Sequence, residues 1–274
     1  FNSSSGTNTS SENLTVYYSV ADLDSDQVKN ITNWYRNGNS LTVLNMPFEG
    51  GSNSTNTRDY SNVANGTLYY LCLDNTSSYN PFITRSSAGA GAAGNWALVG
   101  YLCTNLYFFR DGGSSYLQST GITYDKNYHS LIAVFDSANS RTEIWRDGVN
   151  LTLISEGSYN PALPLNGTFN FTIGRWGTQY TYNGTIDDVR IFNSALTLQE
   201  IQILARNLTD LLVSQELATG DNWQACVTPN DGAGDGSQQC SGNLTIIPAF
   251  TIPAQTKNNG SSGTNLSTYT STTI

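Results

Sequence analysis

The stretch 128–204 limits what this chain can fold into more than any other. Residues 131–136 and 142–146, LIAVFD and TEIWR, are strand-like runs on either side of a polar turn. Asp147-Gly148 follows, a dipeptide that favours a tight type I′ hairpin turn. Two more strand runs are expected at 168–173 and 184–192. The stretch closes on a short helix whose start is signed by its own chemistry. Thr197 and Glu200 have capping-box spacing, and Leu196 and Ile201 sit where a hydrophobic staple would pack. Elsewhere strand formers are plentiful and turn signals recur every 8–12 residues or so, which predicts an all-β protein.

The order of these motifs, hairpin, DG, strand ending in IG, GTIDDVRIFNSAL, short helix, resembles the C-terminal half of laminin-G-like jelly rolls of the concanavalin A-like superfamily. The resemblance implies a binding or scaffolding module. LNMPFEGG at 44–51 and RDYSNVANGTL at 58–68 resemble the beginning of such modules. After them the chain departs from the pattern and runs directly into LYYLCLD, PFITRSS and NWALVGYLCTNLYFF.

A second pattern brackets the first. Residues 13–38 are expected to form two strands around an acidic turn, the second ending in Trp34-Tyr35-Arg36. They resemble strands of an Ig-like or PKD-like sandwich, in which a Trp anchors the core. Residues 212–247, with GDNWQACVTPND, resemble the later strands of the same domain. Neither half has enough strands to bury a core alone. The expected fold class is therefore all-β, a laminin-G-like jelly-roll sandwich (42–209) inserted into a small Ig-like β-sandwich (13–41 plus 210–250). Polar tails or linking segments are expected at 1–12 and 251–274. The competing arrangement is two independent small modules flanking the jelly roll. Residues 2–10, NSSSGTNTS, nearly recur at 259–267 as NGSSGTNLS. Either polar tracts match here by accident, or the end of this chain is the start of another copy of the module, as in tandem surface arrays.

Composition narrows the functional classes. With 12% charged residues, a net charge of −9 and a pI near 4.4, the chain lacks the basic face that nucleic acid requires. No apolar run nears the roughly 18 residues of a membrane span. The chain begins at Phe1 with no signal sequence before it, which reads as a mature product or an excised fragment. Sequons occur at Asn2, Asn8, Asn13, Asn30, Asn53, Asn65, Asn75, Asn150, Asn166, Asn170, Asn183, Asn207, Asn243, Asn259 and Asn265. Roughly half as many would arise by chance, so covalent N-glycans and an extracellular location are expected. The cysteines agree, because they fall by region into Cys72 with Cys103 and Cys226 with Cys240; four free thiols are the alternative.

Chemistry is thinly represented. His129, the sole histidine, is expected to pack at the start of a core strand, which leaves no Ser/His/Asp set. Asp187-Asp188, as neighbours on a strand, would face opposite sides and so form no glycosidase carboxylate pair. Asp22, Asp24 and Asp26 offer oxygen ligands at alternate positions, so calcium is the candidate cofactor although none is required; the alternative is a solvated acidic turn. Asp231 and Asp235 would join that site if the two bracketing halves assemble. Trp176, Tyr180 and Tyr182 would make a sugar-stacking platform, unless they simply pack locally. No enzymatic activity is expected. The expected function is a structural or adhesive glycoprotein of the cell surface, similar to tandem repeats of archaeal and bacterial surface proteins. It would join neighbouring copies of itself in a filament or array through termini or sheet edges. The alternative is a lectin-like module that binds surface glycans.

Overall fold

A computed structural model describes residues 1–22, 24–49, 56–57, 59–60, 66–67, 79–85, 96–101, 105–110, 115–120, 128–156, 160, 171–177, 180–182 and 184–249. Among these the protein is nearly all β, with every sheet antiparallel and a single α-helix, Leu198–Leu204. No helix among the described residues is long and apolar enough to cross a membrane.

The longest pairing joins segments far apart in sequence. Strand Lys29–Arg36 lies against Asn222–Asn230 from Lys29↔Asn230 to Arg36↔Trp223. Asn37-Gly38, both at positive φ, turns the first of these into Asn39–Ser40. On its far side Asn222–Asn230 takes up Gln239–Cys240 and Leu244–Thr245. Alternate residues Trp223, Ala225 and Val227 enter one core with Trp34, Leu14, Val16, Leu212, Leu217, Leu244 and Ile246. Residues before 42 and after 210 thus bury one another. Cys226 and Cys240 face each other in this register and are joined by a disulfide, Cα–Cα 4.0 Å. Cys72 and Cys103 lie outside the described residues.

The middle of the chain builds a six-stranded sheet. Its order is Leu153–Glu156, Ser115–Ser119, Asn105–Arg110, Trp96–Tyr101, Tyr79–Arg85, Phe171–Ile173. Leu98, Leu106, Phe108 and Leu117 pack on one face with Ile144, while Ala97, Val99, Tyr107 and Phe109 pack on the other. Both faces are covered, so the central strands read as a continuous apolar run rather than an alternating one. The hairpin Leu131–Asp136/Arg141–Arg146 lies between this sheet and the helix. It sends Leu131, Phe135 and Ile144 toward the sheet, and Ile132, Val134 and Trp145 toward Leu196 and Ile201. Asp147 and Gly148 have φ of 53° and 75°, as a type I′ turn requires. The helix carries the full capping box and its two staple residues are buried.

Several sequence expectations need correction. The run 184–192 forms a strand only over Val189–Phe192, which pairs with Thr42–Met46; Asp187 and Asp188 precede it in a loop. Residues 171–173 form the described part of the run 168–173. The first strand of 13–38 is just Leu14–Thr15, because burial ends at Val16 and Tyr17 and Tyr18 are exposed. The expected tail 1–12 is not a tail. Asn2–Ser3 pairs with Leu14–Thr15, which pairs in turn with Leu211–Leu212. Residues 251–274 lie outside the described residues.

Candidate functional site

Residues 1–12 form a closed polar loop on the edge of a sheet. Phe1 anchors it by packing on Trp34 at 5.7 Å. Ser3 is buried, its hydroxyl donates to Asn8 Oδ1 at 3.1 Å, and the Asn8 N–H donates back at 2.9 Å. Gly6 and Asn8 take φ of 79° and 57°, the left-handed region that glycine and asparagine tolerate. Hydroxyls of Ser5 and Thr7 donate to the Glu12 carboxylate. Donors on Ser3, Ser5 and Thr7 hold that carboxyl far below its usual range, at about 2. The loop then meets the other end of the described chain. Ile247 N–H donates to Asn8 C=O at 2.9 Å, and Thr9 and Ile247 form a parallel bridge.

A second polar cluster lies where the two cores adjoin. Asn45, fully buried, donates from Nδ2 to Thr32 C=O and accepts Arg190 Nε–H at 3.2 Å; its backbone N–H donates to Asp59. Asn33 donates to Tyr60 C=O, and Tyr60 donates to Asp235 Oδ1 at 2.6 Å. Arg190 also pairs with Asp188 at 2.9 Å, and Lys29 pairs with Asp188 and Glu49. Burial alone would lower the Lys29 ammonium, but Glu49, Asp188 and Asp187 around it outweigh that and raise it. Burial raises Asp187, against the pull of Lys29. No sequence motif marks this seam. Its one signal was Asn45, a polar residue inside the apolar run LTVLNMPF.

The expected site residues are placed as follows. Asp22 is turned onto its own loop, accepting N–H bonds from Asp24 and Asp26 at 3.2 and 3.0 Å. A side-chain hydrogen bond with Asp24 lowers Asp22 and raises Asp24. Among the described residues no group of three or more His, Cys, Asp or Glu side chains is gathered to hold a metal ion, and Asp22, Asp24 and Asp26 are no exception. Trp176, Tyr180 and Tyr182 do not form an open platform. Trp176 packs on Phe109 at 5.1 Å, Tyr180 on Tyr79 at 5.1 Å and Tyr182 on Phe82 at 5.1 Å, so the rings cover the sheet instead. His129 is not a core residue. It lies at the surface between Asp147, 2.7 Å from Nδ1, and Arg146, 2.6 Å from Nε2. Asn2, Asn150, Asn207 and Asn243 are exposed, while Asn8, Asn13 and Asn30 are half-buried. The sequons at Asn53, Asn65, Asn75, Asn166, Asn170, Asn183, Asn259 and Asn265 lie outside the described residues.

Residues 68–202, which span the six-stranded sheet, the hairpin and the start of the helix, match the laminin-G model of the concanavalin A-like lectin/glucanase superfamily. This stretch is a laminin-G-like module. Strands Lys29–Arg36 and Asn222–Asn230 lie outside the module's matched range, and the polar seam joins them to it. No curated protein matches the chain. A solved structure of an S-layer domain-containing protein (residues 221–444) from Clostridium thermocellum is similar over 59% of this chain and 97% of its own. The identity is 17% and the TM-score 0.27, too low to carry anything to this chain.

Proposed function

We propose that this chain is an extracellular structural or adhesive glycoprotein, a repeated subunit of a cell-surface filament or array. It has no catalytic role in this reading, and its partners are neighbouring copies of itself. The laminin-G-like module is inserted between the two halves of a small Ig-like sandwich. The observation that carries the reading is the contact of the loop 1–12 with Ile247. The N-terminal loop lies on a sheet edge and bonds to Ile247, so whatever follows Ile247 departs beside that edge. An exposed sheet edge is where a strand from a neighbouring subunit can add. The polar, weakly charged composition and its sequons support a glycan-coated exterior. Electron microscopy of the native material tests the reading. Filaments or sheets with a regular repeat are expected, and isolated particles at high concentration would overturn it.

The second reading, a lectin-like module, is favoured by the superfamily match. It ranks below the first because Trp176, Tyr180 and Tyr182 pack on the sheet. Saturable binding of the monomeric protein on a glycan array would reverse that ranking.

A further inference from the structure

The terminal loop has a second potential occupant within the chain's own sequence. Residues 259–267 repeat residues 2–10 with identity at seven of nine positions, differing only at Gly260 for Ser3 and Leu266 for Thr9. The retained positions include the two left-handed residues and the hydroxyls that meet Glu12, while the changed ones lose the Ser3 hydroxyl that bonds Asn8 and alter Thr9, which bridges Ile247. Gly263 and Asn265 stand for Gly6 and Asn8, whose φ of 79° and 57° exclude most side chains. Ser262 and Thr264 stand for Ser5 and Thr7, whose hydroxyls meet Glu12. Asn259 stands for Asn2, which pairs with Thr15. A sheet edge that binds one of these segments presents the right groups to the other.

We propose that residues 259–267 of one chain take the place of residues 2–10 on a second copy, pairing with its Leu14–Thr15 edge and meeting its Glu12. This deepens the subunit reading and rests on it. The contact is head-to-tail, so it propagates into a linear polymer instead of closing into a dimer. Each chain's own loop competes, because it is tethered beside its slot at high effective concentration. It also holds Phe1 on Trp34, where the second segment has Asn258. Exchange therefore depends on concentration, and a crowded surface supplies that.

The test is cross-linking of the full chain. In the exchanged state Thr15 of one copy faces Asn259 of another, so Thr15→Cys with Asn259→Cys should give a ladder of disulfide-linked oligomers on a non-reducing gel. Either cysteine alone should give none. Adding Gly263→Val and Asn265→Val, which forbid positive φ, should reduce the ladder at least tenfold while the melting temperature stays unchanged. A link formed only within one chain would overturn the second-copy assignment. Assembly that persists after residues 250–274 are deleted would sink this inference and leave the subunit reading standing. A full chain that never self-associates sinks both.

Discussion

Glu200 shows how one residue serves two purposes. As the capping-box carboxylate it accepts from the Thr197 N–H at 2.7 Å, yet it is only 6% exposed. Burial raises its pKa to about 7, and neighbouring Glu216 adds to the shift. A carboxyl raised in the folded state binds more protons folded than unfolded between about 4.5 and 7. Its contribution to stability is complete below the unfolded value and is lost as pH rises through 7. The melting temperature should therefore climb as pH falls from 8 to 5, and Glu200→Gln should flatten that slope. The carboxyls lowered in the fold, Glu12, Asp136 and Asp221 among them, act in the opposite sense and only at lower pH. Trp223, fully buried at the centre of the first core, should cost about 3–5 kcal/mol as Trp223→Ala, read by denaturant unfolding. Among single residues the caps and turns were legible, because Thr197, Glu200, Asp147 and Gly148 act on their immediate neighbours. His129 was not, since its polar surroundings come from Arg146 and Asp147 across a turn.

At the scale of elements, the local hairpin was readable and the order of strands in the broad sheet was not. Leu131–Asp136 and Arg141–Arg146 are joined by a short turn, so their pairing is written in adjacent residues. The strands Trp96–Tyr101 and Asn105–Arg110 are covered on both faces, which erases the alternation that marks a strand. The polar seam was hidden for another reason: Arg190 meets Asn45 across 145 residues of sequence. Asn45→Ala strands the Arg190 Nε–H and the Thr32 carbonyl in a buried place. The expected cost is about 1–3 kcal/mol, and calorimetry should show one transition for the native protein and two for the variant. Reducing Cys226–Cys240, which closes a loop of sequence separation 14, should cost about 2–4 kcal/mol, measured as a fall in the urea midpoint.

At the scale of the molecule, the sequence led to the expectation that the segments on either side of the laminin-G-like module belong to one small sandwich. Trp34 and GDNWQACV carried that expectation, and their strands lie side by side. What no pattern announced was that residues 1–12 are built into the fold, since a run of Ser, Thr and Asn carries no hydrophobic period; Phe1 and two left-handed residues do the holding. The expectation that calcium is not required is open to a direct test, and in the described structure Asp22 accepts from the backbone of its own loop. EDTA should leave the melting temperature within a degree or so, and a larger drop would show that a metal supports the fold.

The pairing of Lys29–Arg36 with Asn222–Asn230 also sets a schedule. A chain made from its N-terminus at about 5–20 residues per second exposes the first strand roughly 10–40 s before its partner exists. During that interval Trp34 and its neighbours have no core to enter, while the intervening module can already close on itself. The strands that bracket the module are then the last to pair, and the earlier of the two spends longest in need of protection.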